Sequence, residues 1–405
     1  MSYVQLRNVD LRVCSIVFLL VFANTNLAAA QATATSKKTQ SSENPINLPQ
    51  QPADDATTEL KDPVTPQDPK KVEARAAFME GLAAQKDGNL SDAIEAFERA
   101  AVADPTAPEP IRAHAILLRR LGRSKQAEAM ARKAVELDPD DYEMRLELAG
   151  MLLAQNKATE AAAREASALV DAALTSKRLD TKSADYVNLQ SVRGKISLLM
   201  QDEAKAAESY AVILDALQTP EDFGLDFRQH QALMKDRATG YETIGQIMLK
   251  VGRYDNAITA FKALTILNED APSEDHYWLA LVHYRKDELT KAEENLTRYF
   301  ESSRRSRRSL QLLNDIYNAK SEPDQIMPRL TELAEGSNDA DSVNLFLGDV
   351  LLEKGKGDEA AKVFRDVIAN SGTADAHLGL VRVDILNQDA ESLFCLLYTS
   401  PSPRD

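Results

Sequence analysis

The chain has 405 residues, of which 44% are hydrophobic and only 6% aromatic, and this balance favours helices that meet through small side chains. Its formal net charge is −15, so it would repel a phosphate backbone, and we expect no nucleic-acid partner. The two cysteines, Cys14 and Cys395, lie near the two ends, which excludes a disulfide framework or a Cys-ligated metal site in the central body.

The first 30 residues have the order of a secretory signal. Arg7 and Arg12 precede an apolar run at 13–22, and three alanines follow at 28–30. The apolar run is shorter than the roughly 20 residues that span a bilayer. We therefore predict a signal peptide at 1–30, no transmembrane span after its removal, and an exported protein that is periplasmic or secreted. A membrane anchor formed by an uncleaved signal is the alternative.

Residues 31–69 change to Thr, Ser, Gln, Asp and Pro, with almost no large apolar side chains. Such a segment cannot bury enough apolar surface to offset the entropy that it would lose on ordering. We therefore predict a disordered linker over this range.

From about Lys70 the sequence repeats itself with a period of 34 residues. The matching pairs are Gly88 and Gly122, Ala93 and Ala127, Ala100 and Ala134, Asp104 and Asp138, and Pro105 and Pro139. A turn glycine, two columns of small residues and a closing proline at this period resemble the tetratricopeptide repeat family. The resemblance implies an all-α fold, in which tandem antiparallel helical hairpins stack into a right-handed solenoid.

The repeat columns also have a physical explanation. Gly81, Ala93 and Ala100 are small, so two helices can approach closely, while Phe97 fills the gap between neighbours and Pro105 stops the second helix. The residues that define the repeats are Gly81, Ala93, Ala100, Pro105, Ala127, Ala134, Pro139, Gly245, Ala257, Phe261, Ala292, Gly348, Ala360 and Phe364.

The matches divide the chain into two arrays of repeats, at 70–217 and 238–389. Between them, 218–237 is predicted to be an irregular connection that includes the start of a helix. Residues 304–336 match weakly and are interpreted as a diverged repeat. The segment 390–405 has no helical period and resembles a translated sequencing adapter, so we expect a non-native tail and a natural chain that continues past it.

Signatures of catalysis are absent from the sequence: there is no serine hydrolase elbow, zinc-protease helix or phosphate-cradling loop. Of the five histidines, only His276 and His283 could share a helix face, but they are seven residues apart, whereas helical metal ligands prefer offsets of three or four. We therefore predict no metal, no cofactor and no enzymatic activity.

Candidate partner-binding residues follow from the resemblance, because in this family the first helix of each hairpin lines a groove. The positions outside the packing columns are Arg112, Arg119 and Arg120 in the second repeat and Tyr277, Trp278 and Tyr284 in the sixth. Tyr277 and Trp278 are interpreted either as a peptide anchor or as core residues under the next repeat. The basic cluster at 304–308 is either a solvated helix start or a site for an acidic peptide.

The function that the resemblance implies is a scaffold that binds a protein or peptide in the concave groove of its solenoid. Two alternatives remain. The chain could be the non-catalytic N-terminal part of a larger, glycosyltransferase-like enzyme, or an assembly factor of the cell envelope.

Overall fold

The computed structural model describes residues 68–154, 159–233, 236–268, 274–301, 305–335 and 339–387. The predicted signal peptide, the predicted tail and nearly all of the predicted linker lie outside these residues, as do both cysteines. The first helix begins at Pro69, where the Asp68 side chain accepts a hydrogen bond from the backbone N–H of Lys70 at 3.0 Å.

Over the described residues the fold consists of α-helices, with one short 3-10 helix and no strand, so the predicted all-α class is confirmed. The chain divides into an N-terminal unit that ends at Asp226 and a C-terminal unit that begins at Phe227. The N-terminal unit contains α1 (Pro69–Lys86), α2 (Leu90–Ala103), α3 (Pro108–Arg120), α4 (Ser124–Leu137), α5 (Tyr142–Leu153), α6 (Glu160–Leu174), α7 (Ala184–Leu199), α8 (Glu203–Gln218) and the 3-10 helix Pro220–Phe223. The C-terminal unit contains α9 (Phe227–Leu233), α10 (Arg237–Lys250), α11 (Tyr254–Leu267), α12 (Asp275–Arg285), α13 (Leu289–Glu301), α14 (Arg307–Ala319), α15 (Ile326–Ala334), α16 (Ala340–Glu353), α17 (Gly357–Ser371) and α18 (Ala374–Asn387).

The helices pair as hairpins, and successive hairpins stack, as the repeat predicts. In the N-terminal unit α1 packs on α2, α3 on α4, α5 on α6 and α7 on α8, and the second helix of each hairpin also packs on the first helix of the next. In the C-terminal unit the same relation joins α10 with α11, α12 with α13 and α16 with α17, and α18 packs on α17. Each apolar face is thus buried by a sequence neighbour, so the cores can grow with the number of hairpins.

Side-chain caps explain where many of these helices begin. An oxygen at the residue before the helix accepts an N–H that has no partner within the helix. Asp68, Asp141, Thr159, Ser183, Asp202, Asp236 and Ser306 cap α1, α5, α6, α7, α8, α10 and α14 in this way.

Small residues let the two helices of a hairpin touch. A Cβ on Gly81 would lie 2.5 Å from the Phe97 ring, a Cβ on Gly245 would lie 2.5 Å from the Phe261 ring, and Gly348 contacts Phe364 in the same way. All three rings are wholly buried, as are the repeat-defining residues Ala93, Ala100, Ala127, Ala134, Ala257, Ala292 and Ala360. Pro105 and Pro139 lie two residues beyond the ends of α2 and α4, where no further helical hydrogen bond is needed.

Seven of the turns inside hairpins that the structure describes have a residue in the left-handed region of the backbone. Glycines take this place with φ between 70° and 82° at Gly88, Gly122, Gly252 and Gly355. Gln201, Asp287 and Ser321 take the same place with φ of 59°, 62° and 61°. At these three turns the glycine of the repeat pattern is replaced by another residue. The turn nevertheless keeps the same left-handed backbone conformation.

The segment 218–237 contains the end of α8, the 3-10 helix, Gly224 with φ of 59°, the short helix α9 and the start of α10. Among the helices of the described residues, none combines the length and the apolar character needed to cross a membrane.

Candidate functional site

In the N-terminal unit four residues occupy one corresponding face of the first helices. Each of them directly follows a buried small residue that packs inside its own hairpin, at Gly81, Ala115, Ala149 and Gly194. One residue further along is a rotation of about 100° around the helix, out of the packed interface. The four residues are Leu82, Ile116, Gly150 and Lys195, and we call them the first-helix row.

The first-helix row is largely apolar and accessible. Leu82 is 39% exposed and Met79, one helical turn before it, is 63% exposed. Ile116 is half-buried, and a Cβ on Gly150 would meet nothing within 4 Å. Apolar surface of this kind indicates a contact surface more often when it extends over several elements than when single apolar residues are scattered.

The three arginines predicted in the second repeat lie on α3 in different surroundings. Arg112 pairs with Glu143 and, at 3.4 Å, with Asp141, while the Nε of Arg119 lies 3.0 Å from a carboxylate oxygen of Glu147. Arg120 is exposed. Arg112 and Arg119 therefore join α3 to the next hairpin, and Arg120 remains accessible to a ligand.

A cleft of about 200 Å³ lies beside Arg112. Acidic side chains dominate its wall, with Arg112 and Arg178 as the two cations. Arg178 pairs with Asp138 at 2.6 Å, so both cations already have carboxylate partners. The lining residues are Pro108, Glu109, Arg112, Asp138, Asp140, Asp141, Tyr142, Glu143 and Arg178.

In the C-terminal unit the predicted aromatic residues lie together on α12. Tyr277 is 7% exposed and therefore belongs to the core, where its ring meets Tyr299 at a centroid distance of 5.8 Å. Trp278 is half-buried and stacks on Phe261 at 5.9 Å with the two planes 7° apart. Tyr284 is also half-buried and packs against the same core. The structure thus brings Tyr277 and Trp278 together and places Tyr277 beneath the surface.

Arg308 covers this aromatic pair. Its guanidinium carbon lies 4.7 Å from the ring centre of Tyr277 and 5.7 Å from that of Trp278, and the guanidinium pairs with Glu274. Such cation–π contacts contribute about 0.5–2 kcal/mol each, depending on how far water is excluded. The position that the sequence suggests as a peptide anchor is therefore filled by a cation of the chain itself.

A second arginine of the basic cluster also has a partner within the unit. Arg307 lies 2.6 Å from Asp349, which is 8% exposed, and Arg382 of α18 binds the other oxygen of the same carboxylate at 2.5 Å. Asp349 thereby joins α14, α16 and α18 with charge-assisted hydrogen bonds.

The two histidines that could share a face do not converge with other ligands. His283 is buried, and its Nδ1 lies 2.8 Å from a carboxylate oxygen of Glu288. In the part of the chain that the structure describes, no group of three or more His, Cys, Asp or Glu residues is placed to hold a metal ion.

Two features of these surfaces were not anticipated from the sequence. Lys195 lies in the first-helix row, although its repeat is degenerate, and Arg308 reaches back over the preceding hairpin. For Lys195 a signal exists, because it follows Gly194 as Leu82 follows Gly81. For Arg308 the pairing depends on how neighbouring hairpins meet, which the repeat pattern does not encode.

Comparison with known proteins agrees with this architecture. Residues 67–108, 112–180 and 243–303 match the family model described as tetratricopeptide repeat. No curated protein matches the chain.

Solved structures with similarity to the chain include three in which most of the other chain is matched. The MamA protein is 19% identical with a TM-score of 0.34, over 49% of this chain and 92% of that one. YrrB, described as a TPR protein with an unusual peptide-binding site, is 18% identical with a TM-score of 0.34, over 56% and 99%. The pilF protein of Pseudomonas aeruginosa is 18% identical with a TM-score of 0.28, over 67% and 97%.

The stacked hairpins define an all-α repeat protein, a class that presents extended surfaces built from successive helices. A more specific class follows from the columns of small residues, the turns and the three segments that match the family model. The matched segments are similar to tetratricopeptide repeats, and arrays of such repeats are in general non-catalytic scaffolds for protein–protein interaction.

Proposed function

We propose that the N-terminal unit binds an extended peptide segment of a partner protein along its first-helix row. The observation that carries this proposal is that apolar or open positions recur at corresponding places of successive first helices, namely at Met79 and Leu82, at Ile116 and at the open backbone of Gly150. A peptide that lies across these helices would remove that surface from water, which is the main favourable term in such recognition.

The C-terminal unit supports this proposal less strongly. Tyr277 is buried, and Arg308 covers Tyr277 and Trp278, so a ligand would first have to displace an intramolecular cation. In the N-terminal unit no such displacement is needed at Leu82 or Met79, which are exposed.

The proposal is tested by selecting peptides from a random library of 12-residue sequences on the purified chain. Peptides enriched on the wild type are then synthesised, and their affinities are measured for the wild type and for Leu82→Asp. We expect enriched peptides with apolar side chains and a strong loss of affinity in the variant. If no peptide is enriched, or if Leu82→Asp binds as the wild type does, the proposal is wrong.

We also propose that this scaffold works outside the cytoplasm, in the periplasm or after secretion. The support is the sequence of the first 30 residues, in which basic residues, a short apolar run and small residues follow one another. Expression of the full chain in a Gram-negative host, followed by N-terminal sequencing of the periplasmic fraction, tests this. A mature chain that begins near Gln31 is expected, and an intact chain in the cytoplasm would contradict the proposal.

A further inference from the structure

We propose that the outward side of α18 binds the same side of a second copy of this chain, so that two C-terminal units form a symmetric antiparallel helix pair. The helix α18 packs on α17 and α16, and the described residues leave its other side exposed. This surface belongs to the C-terminal unit, so the inference does not depend on peptide binding by the N-terminal unit.

The helix α18 is apolar on two opposite sides. The side that packs within the unit consists of Ala376, Gly379, Leu380 and Val383. At 100° per residue, a second apolar row lies opposite to it. This row, which we call the outer stripe, consists of Ala374, Leu378, Val381 and Ile385. Leu378 and Ile385 are 59% and 62% exposed. A helix with apolar residues on both sides is typical of a helix that is covered on both sides.

The spacing of the outer stripe is that of a helix–helix seam. Its members follow one another at intervals of four, three and four residues, which are the a and d positions of a heptad. Side chains at these positions pack into the gaps between the corresponding side chains of a second helix. The outer stripe is therefore shaped for another helix.

The charges beside the outer stripe indicate that the second helix is another copy of α18. Asp375 and Arg382 lie along one edge of the stripe, and His377 and Asp384 lie along the other. In an antiparallel pair each edge faces the same edge of the second copy, so Asp375 meets Arg382 of the second copy. His377 likewise meets Asp384 of the second copy. In a parallel pair opposite edges meet, and His377 would face Arg382 of the second copy.

Arg382 can make this contact without leaving its partner in its own unit. Its guanidinium binds Asp349 at 2.5 Å while 52% of the side chain remains exposed. A guanidinium has five N–H donors, so it can bind a second carboxylate. Because Asp375 is exposed, its pair with Arg382 of the second copy would lie at the rim, where such pairs set orientation more than affinity.

The pairing of one helix with one helix is a small interface. We expect a Kd in the range of about 1–100 μM, which corresponds to the weak end of specific association. Below this concentration the outer stripe stays exposed, and Leu378 adds little to the stability of the monomer. A dimer would carry two first-helix rows, so a partner with two binding segments would be held more tightly than a single peptide.

Sedimentation equilibrium of the purified chain tests the pairing, at about 1–500 μM to span the expected Kd and with a reducing agent against disulfides of Cys14 and Cys395. We expect a reversible monomer–dimer equilibrium. Ile385→Asp should raise the Kd at least about a hundredfold, because a dimer would bury two unpaired carboxylates. The matched control is Ile266→Asp, which changes a 76% exposed isoleucine of α11 and should leave the Kd unchanged.

A charge reversal tests the edge contact. Asp375→Lys should raise the Kd about tenfold, because it places a cation opposite Arg382 of the second copy. Asp375→Asn, which removes the charge without reversing it, should have a smaller effect. Equal Kd values for the wild type and Asp375→Lys would overturn the proposed arrangement of the two helices.

Disulfide formation tests the direction of the pair, in a background that carries Cys14→Ser and Cys395→Ser. In the antiparallel pair, position 374 of one copy meets position 385 of the other. The two copies of either position alone lie about 16 Å apart along the helix axis, too far for a disulfide. Oxidation should therefore give a covalent dimer for the variant with both Ala374→Cys and Ile385→Cys, and none for either change alone.

The inference is overturned if the wild type is monomeric at the highest concentration, in which case the occupant of the outer stripe is residues 388–405 or a different protein. It is also overturned if Ile385→Asp dimerises as the wild type does, because the contact would then lie elsewhere. A covalent dimer of Ala374→Cys alone would show a parallel pair and contradict the antiparallel arrangement.

Discussion

A Cβ on Gly81 would lie 2.5 Å from Cε1 of Phe97, closer than two carbon atoms in contact can approach. The Phe97 ring is wholly buried, so it cannot move aside into solvent. Gly150, on a later first helix of the same unit, would meet nothing within 4 Å if it carried a Cβ. Close packing against Phe97 therefore requires glycine at position 81, whereas no packing contact requires it at position 150.

Gly81→Ala and Gly150→Ala should change stability in opposite directions. In a helix, alanine is favoured over glycine by about 0.5–1 kcal/mol, so Gly150→Ala should raise the free energy of unfolding by this amount. At Gly81 the clash with Phe97 should outweigh that gain, with a net loss of about 1–3 kcal/mol. Urea denaturation measures both. Equal shifts of the same sign would show that Gly81 is not needed for the approach of the helices.

The sequence predicts the helical hairpins well because their cause is local. Small residues such as Gly81 and Ala93 recur at a fixed period, and this period alone indicates which faces touch. It predicts the diverged repeats poorly for the same reason. At Gln201 and Ser321 the chain adopts the left-handed turn without glycine. The packing of the two flanking helices fixes the turn there, so the turn does not require the glycine of the repeat pattern.

Replacing Ser321 by glycine should stabilise the C-terminal unit. A non-glycine residue in the left-handed region is disfavoured by roughly 1 kcal/mol, and glycine avoids most of that cost. We expect Ser321→Gly, and likewise Asp287→Gly, to raise the free energy of unfolding by about 0.5–1 kcal/mol. Thermal denaturation checks this, with Ser321→Ala as the control that should give no gain. A loss on Ser321→Gly would mean that the serine side chain has a role that outweighs its backbone strain.

Two leucines at the same place in successive first helices should differ in their contribution to stability. Leu347, before Gly348, is 8% exposed beneath the core of the C-terminal unit, while Leu378, before Gly379, is 59% exposed. Leu347→Ala should cost about 2–5 kcal/mol through lost burial and the cavity that remains. Leu378→Ala should stay within about 0.5 kcal/mol of the wild type. Guanidinium denaturation followed by circular dichroism measures both, and a large effect at Leu378 would contradict the exposure of this face.

His114 should make the N-terminal unit less stable in mild acid. The ring is 6% exposed, its Nε2 lies 3.7 Å from Glu98, and burial lowers the pKa of His114 below its ordinary value of 6.5. As the pH falls below about 6.5, the unfolded chain takes up a proton before the folded chain does, so stability is present above this pH and is lost below it.

The contribution of His114 is isolated by comparing the wild type with His114→Leu between pH 7.5 and pH 5. The slope of unfolding free energy against pH should be smaller in the variant, by at most about 1.4 kcal/mol per pH unit. If the unfolding free energy of the two proteins changes with pH in parallel, folding does not lower the pKa of His114.

The candidate site is less predictable from sequence than the fold. Arg112, Trp278 and Tyr284 lie on first helices of hairpins, as the repeat pattern predicts. The pattern does not indicate whether a side chain at such a position already has a partner within the chain. Arg112 pairs with Asp141 across a hairpin boundary, and Trp278 is covered by Arg308 from the next first helix. These contacts depend on the distance and rotation between hairpins, which no single repeat encodes.

The proposed binding of a peptide at the first-helix row is tested most directly by the affinity of one enriched peptide for the wild type and for two matched variants of the N-terminal unit. Ile116→Asp places a charge in the first-helix row, and Val102→Asp places the same charge on a 79% exposed valine of the second helix α2. Isothermal titration should show at least about a tenfold loss of affinity for Ile116→Asp, which corresponds to roughly 1.4 kcal/mol, and no change for Val102→Asp. Equal affinity of both variants with the wild type, or a loss confined to Val102→Asp, would place the binding surface elsewhere and contradict the account.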